Sequence, residues 1–425
     1  MLSKPFDNTS IVFMSDFERF KRLYYQYCLT YKGIAINRVI CLEVWLFANH
    51  KIMTGPKTVL RNLFCVKDVH RMDTNCEILT TCCSGRRDYL EIYENIVNNL
   101  GGKTTYNAPY TWPDKYCFRP GLVFQIIRKS LKLLKGAELS WLEKIALSTV
   151  ACYYCNTLSE LQKLDFSRVN RYISEIDVNR FENLLTQYMN QQGIPTFTME
   201  EGLFYVFKGY VPIDSVHYEL LTSNYLLCWG QYVIDEYKAF GIKEERLKLA
   251  GYPRKVEKYH FRNDNHSYKR CVVLLARKQF DEANFKLLKI LEELSGDYIF
   301  HIKLHPSCDF QKYKVFADNH KMIMVEKAKT VNDCLNPEAF DWAVAVNTTA
   351  YYESLMKGIP CFRFEDDSYQ LPYGYEDKFE SIDQLRFMID SFIGKNIELY
   401  QKEVDAMLEY TMGIGINKYK EILLS

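Results

Sequence analysis

The sequence lacks any stretch long and apolar enough to cross a membrane. A membrane-spanning helix needs roughly 18 or more consecutive apolar residues, and none of the apolar runs in this chain approaches that length. The first residues also lack a basic segment followed by a long apolar run, so we expect no secretory signal. These absences predict a cytoplasmic protein. Peripheral contact with the inner face of the membrane is compatible with them.

The sequence also lacks an excess of charge of either sign. Its 54 Lys and Arg residues are balanced by 53 Asp and Glu residues, giving a net charge of +1. A chain with so little net charge has no global field to attract a polyanion, and no basic-aromatic motif recurs. We therefore expect no nucleic-acid partner.

Metal-binding clusters are missing as well. The fourteen cysteines are scattered, and without a secretory signal we expect them to be reduced core residues. Cys152 and Cys155 have the spacing of zinc ligands but lack a second pair at zinc-finger distance. The acidic run Glu365-Asp366-Asp367 follows a predicted strand and is interpreted as a solvated turn. We expect neither a metal nor a cofactor.

The second half shows apolar runs that alternate with helical patterns. Such alternation predicts a parallel sheet with helices on both faces, which binds ligands beyond the carboxyl ends of its strands. The predicted strands are 271–276, 298–304, 322–325, 342–346 and 359–364.

The first half is less regular. Apolar runs within 36–47 and 76–82, and again at 196–199 and 225–229, predict strands, while 88–100 and 180–191 have helical patterns. Residues 120–135 form an amphipathic basic helix with two interpretations. It either packs on the core with solvated lysines, or its basic face touches a membrane or an anionic acceptor.

Three short motifs whose side chains could take part in catalysis or ligand binding lie at predicted strand ends. The first is Glu200-Glu201-Gly202, directly after a strand. Adjacent carboxylates in a continuing strand point to opposite sides, so one would face a cleft while the other is solvated or structural. A carboxylate held there can remove a proton from an acceptor hydroxyl, and Gly202 permits a close approach of a ligand. The alternative is an ordinary acidic turn.

The second motif runs from His301 to Pro306. The two-residue period of a strand puts His301, Lys303 and His305 on one face, and Pro306 ends the strand. His305 would then lie at the carboxyl edge, where it could donate a hydrogen bond or proton to a phosphate, with Lys303 adding a charge contact. The alternatives are a structural histidine and a lysine that caps the sheet edge.

The third motif is Asn347-Thr348-Thr349, followed by Glu353. The strand at 342–346 ends at Asn347 and the threonines open a helix. Hydroxyls and free backbone N–H groups at a helix start can bind a phosphate. Glu353 lies one turn further on, near the face of Thr349, where it could accept hydrogen bonds from ribose hydroxyls. Alternatively, the threonines only cap the helix.

In their order along the chain, these motifs resemble bacterial glycosyltransferases of the GT-B fold that build capsules and lipooligosaccharides, especially polysialyltransferases and related sialyltransferases. Those families carry an acidic pair followed by glycine, a His-Pro motif after a strand and a Ser/Thr-rich motif at a later helix start. The resemblance implies that Glu201 is the catalytic base. It also implies that His305, Thr348 and Thr349 contact the nucleotide phosphate.

A second resemblance overlaps the first. Residues 227–230 (LCWG), 240–242 (FGI) and 250–254 (AGYPR) are similar to a segment shared by surface-polysaccharide transferases and CDP-glycerol glycerophosphotransferases. Gly230 and Arg254 are therefore secondary candidates, together with Glu200 and Gly202. Related chains often have Gln-His-Gly where this one has Glu-Glu-Gly, and that difference favours a carboxylate base and the sialyltransferase-like mechanism. Both resemblances together cover about 180–365 and leave 1–175 without a counterpart.

The resulting prediction is an α/β protein of the GT-B fold, with two Rossmann-like domains facing across a cleft. Residues 1–250 would bind a glycan or glycolipid acceptor, 251–395 would bind the nucleotide-sugar donor, and the helices of 396–425 could cross back to the first domain. The predicted enzyme is an inverting, metal-independent glycosyltransferase, favouring transfer of sialic acid from CMP-sialic acid. The alternatives are a UDP-sugar glycosyltransferase, a CDP-polyol phosphotransferase, a UDP-sugar 2-epimerase and a non-catalytic assembly scaffold.

Overall fold

The computed structural model describes most of the chain. The described residues are 11–12, 14–50, 55–83, 85, 87–101, 104–178, 180–200, 202, 206–207, 211–212, 220–239, 241–262, 269–415 and 417–424.

The first half of the chain contains thirteen strands among its described residues. They are β1 (Ile11–Val12), β2 (Thr30–Tyr31), β3 (Ile34–Ala35), β4 (Cys65–Lys67), β5 (Ile78–Thr81), β6 (Thr104–Asn107), β7 (Asp114–Tyr116), β8 (Arg171–Ser174), β9 (Thr196–Met199), β10 (Val206–Phe207), β11 (Val211–Pro212), β12 (Tyr225–Cys228) and β13 (Leu247–Leu249). Its helices are α1 (Met14–Gln26), α2 (Ile36–Val39), α3 (Cys41–Ala48), α4 (Pro56–Phe64), α5 (Arg87–Leu100), α6 (Pro120–Leu133), α7 (Trp141–Leu161), α8 (Arg180–Gln191) and α9 (Gln231–Ala239).

Six of these strands form one parallel sheet in the order β13-β12-β9-β8-β5-β6. Each neighbouring pair is parallel. The order reverses between β5 and β8, which is where an open α/β sheet leaves a crevice beyond its carboxyl ends. The predicted strands near 76–82, 196–199 and 225–229 and the helices near 88–100, 120–135 and 180–191 are confirmed.

The strand predicted within 36–47 is wrong, because the chain forms the helices α2 and α3 there. The apolar run is buried on nearly all sides, with Val44, Trp45 and Phe47 almost fully enclosed. A segment buried all round carries no helical or strand period, so the pattern of apolar residues cannot separate the two.

The second half contains the remaining elements. Its strands are β14 (Arg270–Leu274), β15 (Ile299–Lys303), β16 (Ile323–Met324), β17 (Trp342–Ala345), β18 (Cys361–Phe364), β19 (Tyr369–Gln370) and β20 (Lys378–Phe379). Its helices are α10 (Asp281–Glu292), α11 (Phe310–Asn319), α12 (Val331–Cys334), α13 (Ala350–Leu355), α14 (Ile382–Ile393), α15 (Ile397–Thr411) and α16 (Asn417–Leu424).

The second sheet has the order β16-β15-β14-β17-β18-β20, again with every neighbouring pair parallel. Numbered from β14, this is the 3-2-1-4-5-6 order of a Rossmann fold, with its crevice between β14 and β17. Residues from the strand ends of both sheets line one cavity. The predicted α/β fold, with two Rossmann-like domains facing across a cleft, is therefore confirmed.

The end of the chain returns to the first sheet. Helix α15 contacts α9, and α16 packs against α5. Between these helices, the Tyr252 N–H donates to the Gly413 carbonyl at 2.6 Å. The first sheet ends at Leu249 and the second begins at Arg270, so the chain passes between the two sheets near this crossing.

Glycines make this crossing tight. A Cβ atom on Gly230 would collide with the backbone carbonyl of Thr411. Gly251 has a φ of +90°, and a Cβ there would lie 2.6 Å from the Gly415 carbonyl oxygen. Both positions leave no room for a side chain, so we interpret Gly230 as a packing residue of this crossing.

The described residues contain neither a membrane-spanning helix nor a disulfide bond. None of their helices is both long and apolar enough to span a bilayer. All fourteen cysteines are free thiols, and most are buried.

Replacing Gly230 by alanine is expected to destabilise the protein. The added methyl group forces the crossing apart, and overpacking of this kind lowers the free energy of unfolding by about 1–3 kcal/mol. Urea unfolding measures the change. Gly296→Ala is the matched control, since nothing lies within 4 Å of a Cβ at that position. Equal stability of the two variants would contradict the tight crossing.

Candidate active site

One cavity of about 470 Å³ lies between the carboxyl ends of the two sheets. The first half contributes the strand-end residues Asp177 and Glu200, and the second half contributes residues that follow β14, β15 and β17. Of the residues predicted from the sequence, Glu200, Gly202, Arg254, Lys303, His305, Pro306, Thr348, Thr349 and Glu353 line it. Asn347 and Gly230 are not among the lining residues, and Glu201 lies outside the described residues.

The carboxyl group of Glu200 is held at the end of β9. The Trp229 N–H donates to its Oε2 at 2.6 Å, while its Oε1 is buried without a hydrogen-bond partner among the described residues. The residue is only 3% exposed. Burial raises the pKa of the Glu200 carboxyl well above its usual range, and the Trp229 N–H only partly opposes this. A carboxylate whose pKa is raised in this way is a stronger base once it is ionised than an exposed glutamate.

His305 is oriented by the turn that follows β15. The Ser307 N–H donates to its Nδ1 at 3.1 Å, and the Ser307 hydroxyl lies 2.8 Å from the same atom. An Nδ1 that accepts a hydrogen bond has no proton, so the neutral ring carries its proton on Nε2. His305 is therefore set up to donate a hydrogen bond through Nε2.

Lys303 brings a cation into the cavity wall. It is the last residue of β15, is only 6% exposed and lines the cavity. Its ammonium group forms neither a hydrogen bond nor an ion pair with any residue for which the structure gives a position. Burial lowers the pKa of Lys303, against the nearby Cys334 and Asp333, which favour its charged form. A lysine that is mostly buried and has no partner for its ammonium group carries a desolvation cost, and a bound anion would relieve part of that cost.

The threonines after β17 differ in their contacts. Thr348 Oγ1 accepts a hydrogen bond from the Ala350 N–H at 3.3 Å. Thr349 occupies the N-cap position of α13, but its side chain makes no capping hydrogen bond. Helix capping therefore does not account for the Thr349 hydroxyl, and Thr349 lines the cavity. Asn347 is buried, and its amide donates to the Gln370 carbonyl at 3.4 Å.

Glu353 is engaged with the segment that joins the two sheets. Its Oε1 accepts from the Tyr252 hydroxyl at 2.7 Å and from Arg254 Nη1 at 2.9 Å. Arg254 Nη2 also lies 3.7 Å from Glu91 Oε2, on α5 of the first half. Arg254 thus links both halves at the cavity wall, and this ties up one of the carboxylate oxygens that the sequence assigned to a ribose.

Sequence analysis missed four further cations that line the cavity, namely Arg87, Arg277, Lys327 and Lys329. Arg277 follows β14 at the crevice of the second sheet, and the buried amide of Asn284 binds both the N–H and the carbonyl of Ala276 just before it. Arg277 follows a predicted strand, and the same position at a strand end marked His305 as a candidate. The exposed Lys327 and Lys329 lie in a turn after β16 that no motif marks.

Other candidates from the sequence lie in different surroundings. His301 packs edge-on against Phe340, with ring centroids 5.1 Å apart. Asp366 accepts a hydrogen bond from Lys286 at 2.7 Å. Within the part of the chain that the structure describes, there is no cluster of three or more His, Cys, Asp or Glu side chains suited to a metal.

Solved structures show similarity in fold at low sequence identity. MnaA of S. aureus in complex with UDP is 12% identical over 82% of this chain and 94% of that chain, with a TM-score of 0.46. The apo lipopolysaccharide outer core galactosyltransferase WaaB is 11% identical over 81% and 98%, with a TM-score of 0.45. The UDP-GlcNAc 2-epimerase from Neisseria meningitidis bound to UDP-GlcNAc is 12% identical over 82% and 98%, with a TM-score of 0.45.

At 11–12% sequence identity, these similarities concern the fold alone. No family model matches the sequence, and no curated protein matches it.

Replacing Glu200 by glutamine is expected to stabilise the protein at alkaline pH. Because the folded-state pKa of this carboxyl is raised, the folded state holds a proton that the unfolded state has released, and stability falls as pH rises above the ordinary glutamate value. Glutamine removes this loss, with a gain on the order of 1–3 kcal/mol at pH 8 that shrinks toward pH 4. Urea unfolding across pH measures it.

The matched control is Glu257→Gln, at an exposed carboxylate. A gain for Glu200→Gln that is no larger than that of Glu257→Gln, or that does not depend on pH, would contradict the raised pKa.

Proposed function

We propose that this protein is a nucleotide-sugar glycosyltransferase, in which the second half binds the nucleotide and the first half holds the acceptor. The observation that carries the proposal is Lys303, a largely buried lysine that lines the cavity and whose ammonium group makes no hydrogen bond to the described residues. A phosphate group is the anion that best suits a cationic strand end in a Rossmann-like sheet.

The neighbours of Lys303 fit the same ligand. His305 can donate through Nε2, Thr349 offers a hydroxyl that caps no helix, and Arg277 adds a second cation at the crevice between β14 and β17. All four residues line the same cavity, and they include two cations and two hydrogen-bond donors. Fixed charges and donors of this kind stabilise the negative charge that develops on a departing nucleotide, and we propose that they do so without a metal ion.

The acceptor side would supply the base. Glu200 lines the cavity from the first half, and its Oε1 is available for an acceptor hydroxyl. In the proposed inverting reaction, the carboxylate takes the hydroxyl proton and the acceptor oxygen bonds to the anomeric carbon. The bond from that carbon to the phosphate oxygen breaks, and the nucleotide leaves with a hydrogen bond or proton from His305. Glu201, which the family resemblance favours as the base, remains the competing assignment.

The favoured donor is CMP-sialic acid, because Glu-Glu-Gly and His-Pro occur here in the order of the sialyltransferases. The acceptor would then be a glycan or glycolipid of a bacterial capsule or lipooligosaccharide. A UDP-sugar or a CDP-polyol would use the same phosphate site with a different base and sugar pocket.

Nucleotide binding tests the donor site directly. CMP is expected to raise the melting temperature with and without Mg²⁺, and Lys303→Met is expected to weaken CMP binding by roughly 10- to 100-fold, since it removes a charged hydrogen bond. Thermal shift measured with CMP, CDP, UDP, GDP and ADP at equal concentration gives the nucleotide. Lys312→Met, at an exposed lysine on α11, serves as the control.

The outcomes separate the alternatives. A response to UDP alone would replace the donor, and a requirement for Mg²⁺ would contradict metal independence. No response to any nucleotide would favour the non-catalytic scaffold. Release of an epimerised UDP-sugar without an acceptor would favour a 2-epimerase.

Two carboxylate variants test the base. Glu200→Gln is expected to lower turnover by about 10²–10⁴-fold while nucleotide affinity stays unchanged, because only proton transfer is lost. Because the pKa of Glu200 is raised, the wild-type rate is expected to rise with pH above the usual glutamate range. Glu201→Gln is the comparison, and the larger loss in that variant would assign the base to Glu201 instead.

A further inference from the structure

We propose that the exposed face of α6, together with the start of α7, docks onto an anionic membrane surface. This docking surface is defined by the basic residues Arg128, Lys132 and Lys135 and by the apolar residues Phe124, Trp141 and Leu142. It belongs to the first 175 residues, for which the family resemblances offer no counterpart, and it includes the basic helix whose contact with a membrane or an anionic acceptor the sequence left as an alternative.

The first argument is local charge. From Lys115 to Ala137 the chain has six Lys or Arg residues and no Asp or Glu, although the whole chain has a net charge of only +1. Arg128, Lys132 and Lys135 follow each other at helical spacing and are exposed. None of the three side chains forms a hydrogen bond or an ion pair with the described residues. This surface therefore has positive charge that the protein does not neutralise.

The second argument is the exposure of large apolar side chains beside that charge. Phe124 is 69% exposed, Trp141 65% and Leu142 79%. The opposite face of α6 is already satisfied, because Val123 and Ile126 are buried and α6 packs along α7. The exposed apolar residues are thus not needed for the core, and large apolar side chains this exposed beside unpaired cations suit a surface that contacts a partner.

Aromatic residues extend the surface at the beginning of α6. Phe64 and Phe118 are in contact, with ring centroids 4.6 Å apart, and Tyr116 stacks on Phe64 while remaining 75% exposed. Aromatic rings are favoured at the boundary between lipid head groups and acyl chains.

Both features together favour a membrane over a soluble polyanion. Anionic head groups attract the cations, and the exposed rings and Leu142 gain a further apolar contact only if acyl chains lie beneath those head groups. A soluble acidic glycan would satisfy the cations alone.

Lys129 is a useful internal contrast. It lies on the same helix, but its Nζ donates to the Thr30 carbonyl at 2.8 Å, so the protein itself already binds it. We therefore exclude Lys129 from the docking surface and keep it unchanged in the variants.

Co-sedimentation of the full chain with vesicles tests the proposal. The protein is expected to bind vesicles of phosphatidylcholine mixed with phosphatidylglycerol, to bind phosphatidylcholine alone much more weakly, and to be released by salt. The triple variant R128Q/K132Q/K135Q is expected to lose on the order of 100-fold in affinity for the mixed vesicles. The control K258Q/K289Q/K402Q removes the same charge from exposed positions elsewhere and is expected to bind normally.

A second variant, F124S/W141S/L142S, keeps the charge and removes the apolar part. It is expected to weaken vesicle binding while leaving the binding of soluble dextran sulfate unchanged. Equal vesicle binding by both charge variants would overturn the proposal. So would normal vesicle binding by the apolar variant, or binding to dextran sulfate with none to anionic vesicles, which would instead indicate an acidic glycan. Thermal melting of each variant shows that it is folded.

Discussion

Residues 413–415 run against the turns at Trp229-Gly230 and Gly251-Tyr252 so closely that no side chain fits between them. The cleft depends on this contact, because Tyr252 and Arg254 follow Gly251 directly and reach Glu353 on the second sheet. Glu200 is tied to the same turn through the Trp229 N–H. A backbone crossing without side chains therefore fixes the position of a carboxyl group at the end of one sheet relative to cavity-lining residues at the end of the other.

Two ionisable side chains in the cleft, Lys303 and Glu200, are buried at a cost in stability. Lys303 is mostly buried and its ammonium group has no hydrogen-bonding partner among the described residues. One carboxyl oxygen of Glu200 is fully buried and also lacks a partner among them. Each group carries a desolvation cost that the fold itself does not recover. By contrast, the fully buried Arg363 is paired with Asp377 at 2.7 Å and donates to two backbone carbonyls. Arg363 is thus a charge that the fold itself satisfies, whereas Lys303 and Glu200 show the loss of stability that is common at functional sites.

Sequence patterns predicted five of the six strands of the second sheet because each of those five is a short apolar run. They missed β20, because its two residues, Lys378 and Phe379, form no apolar run. The same reasoning placed Lys303 and His305 at a strand end and so in the cleft. It failed where burial is uniform, as at Val44 and Trp45, and it missed Arg277 because no motif draws attention to a lone arginine after a strand. The bonds from Tyr252 and Arg254 to Glu353 join residues about a hundred positions apart, and only the folded chain brings them together.

Membrane docking and nucleotide binding, as proposed, use different parts of the molecule. The docking surface and Glu200 both belong to the first half, whereas Lys303, His305 and Thr349 belong to the second. A nucleotide sugar is water-soluble and can reach the second half from solution. An acceptor carried by a lipid is confined to the membrane, so the half that holds it gains from lying on the bilayer. We therefore infer that membrane docking would hold the half that contains Glu200 on the surface that carries a glycolipid acceptor, without any change in how the nucleotide is bound.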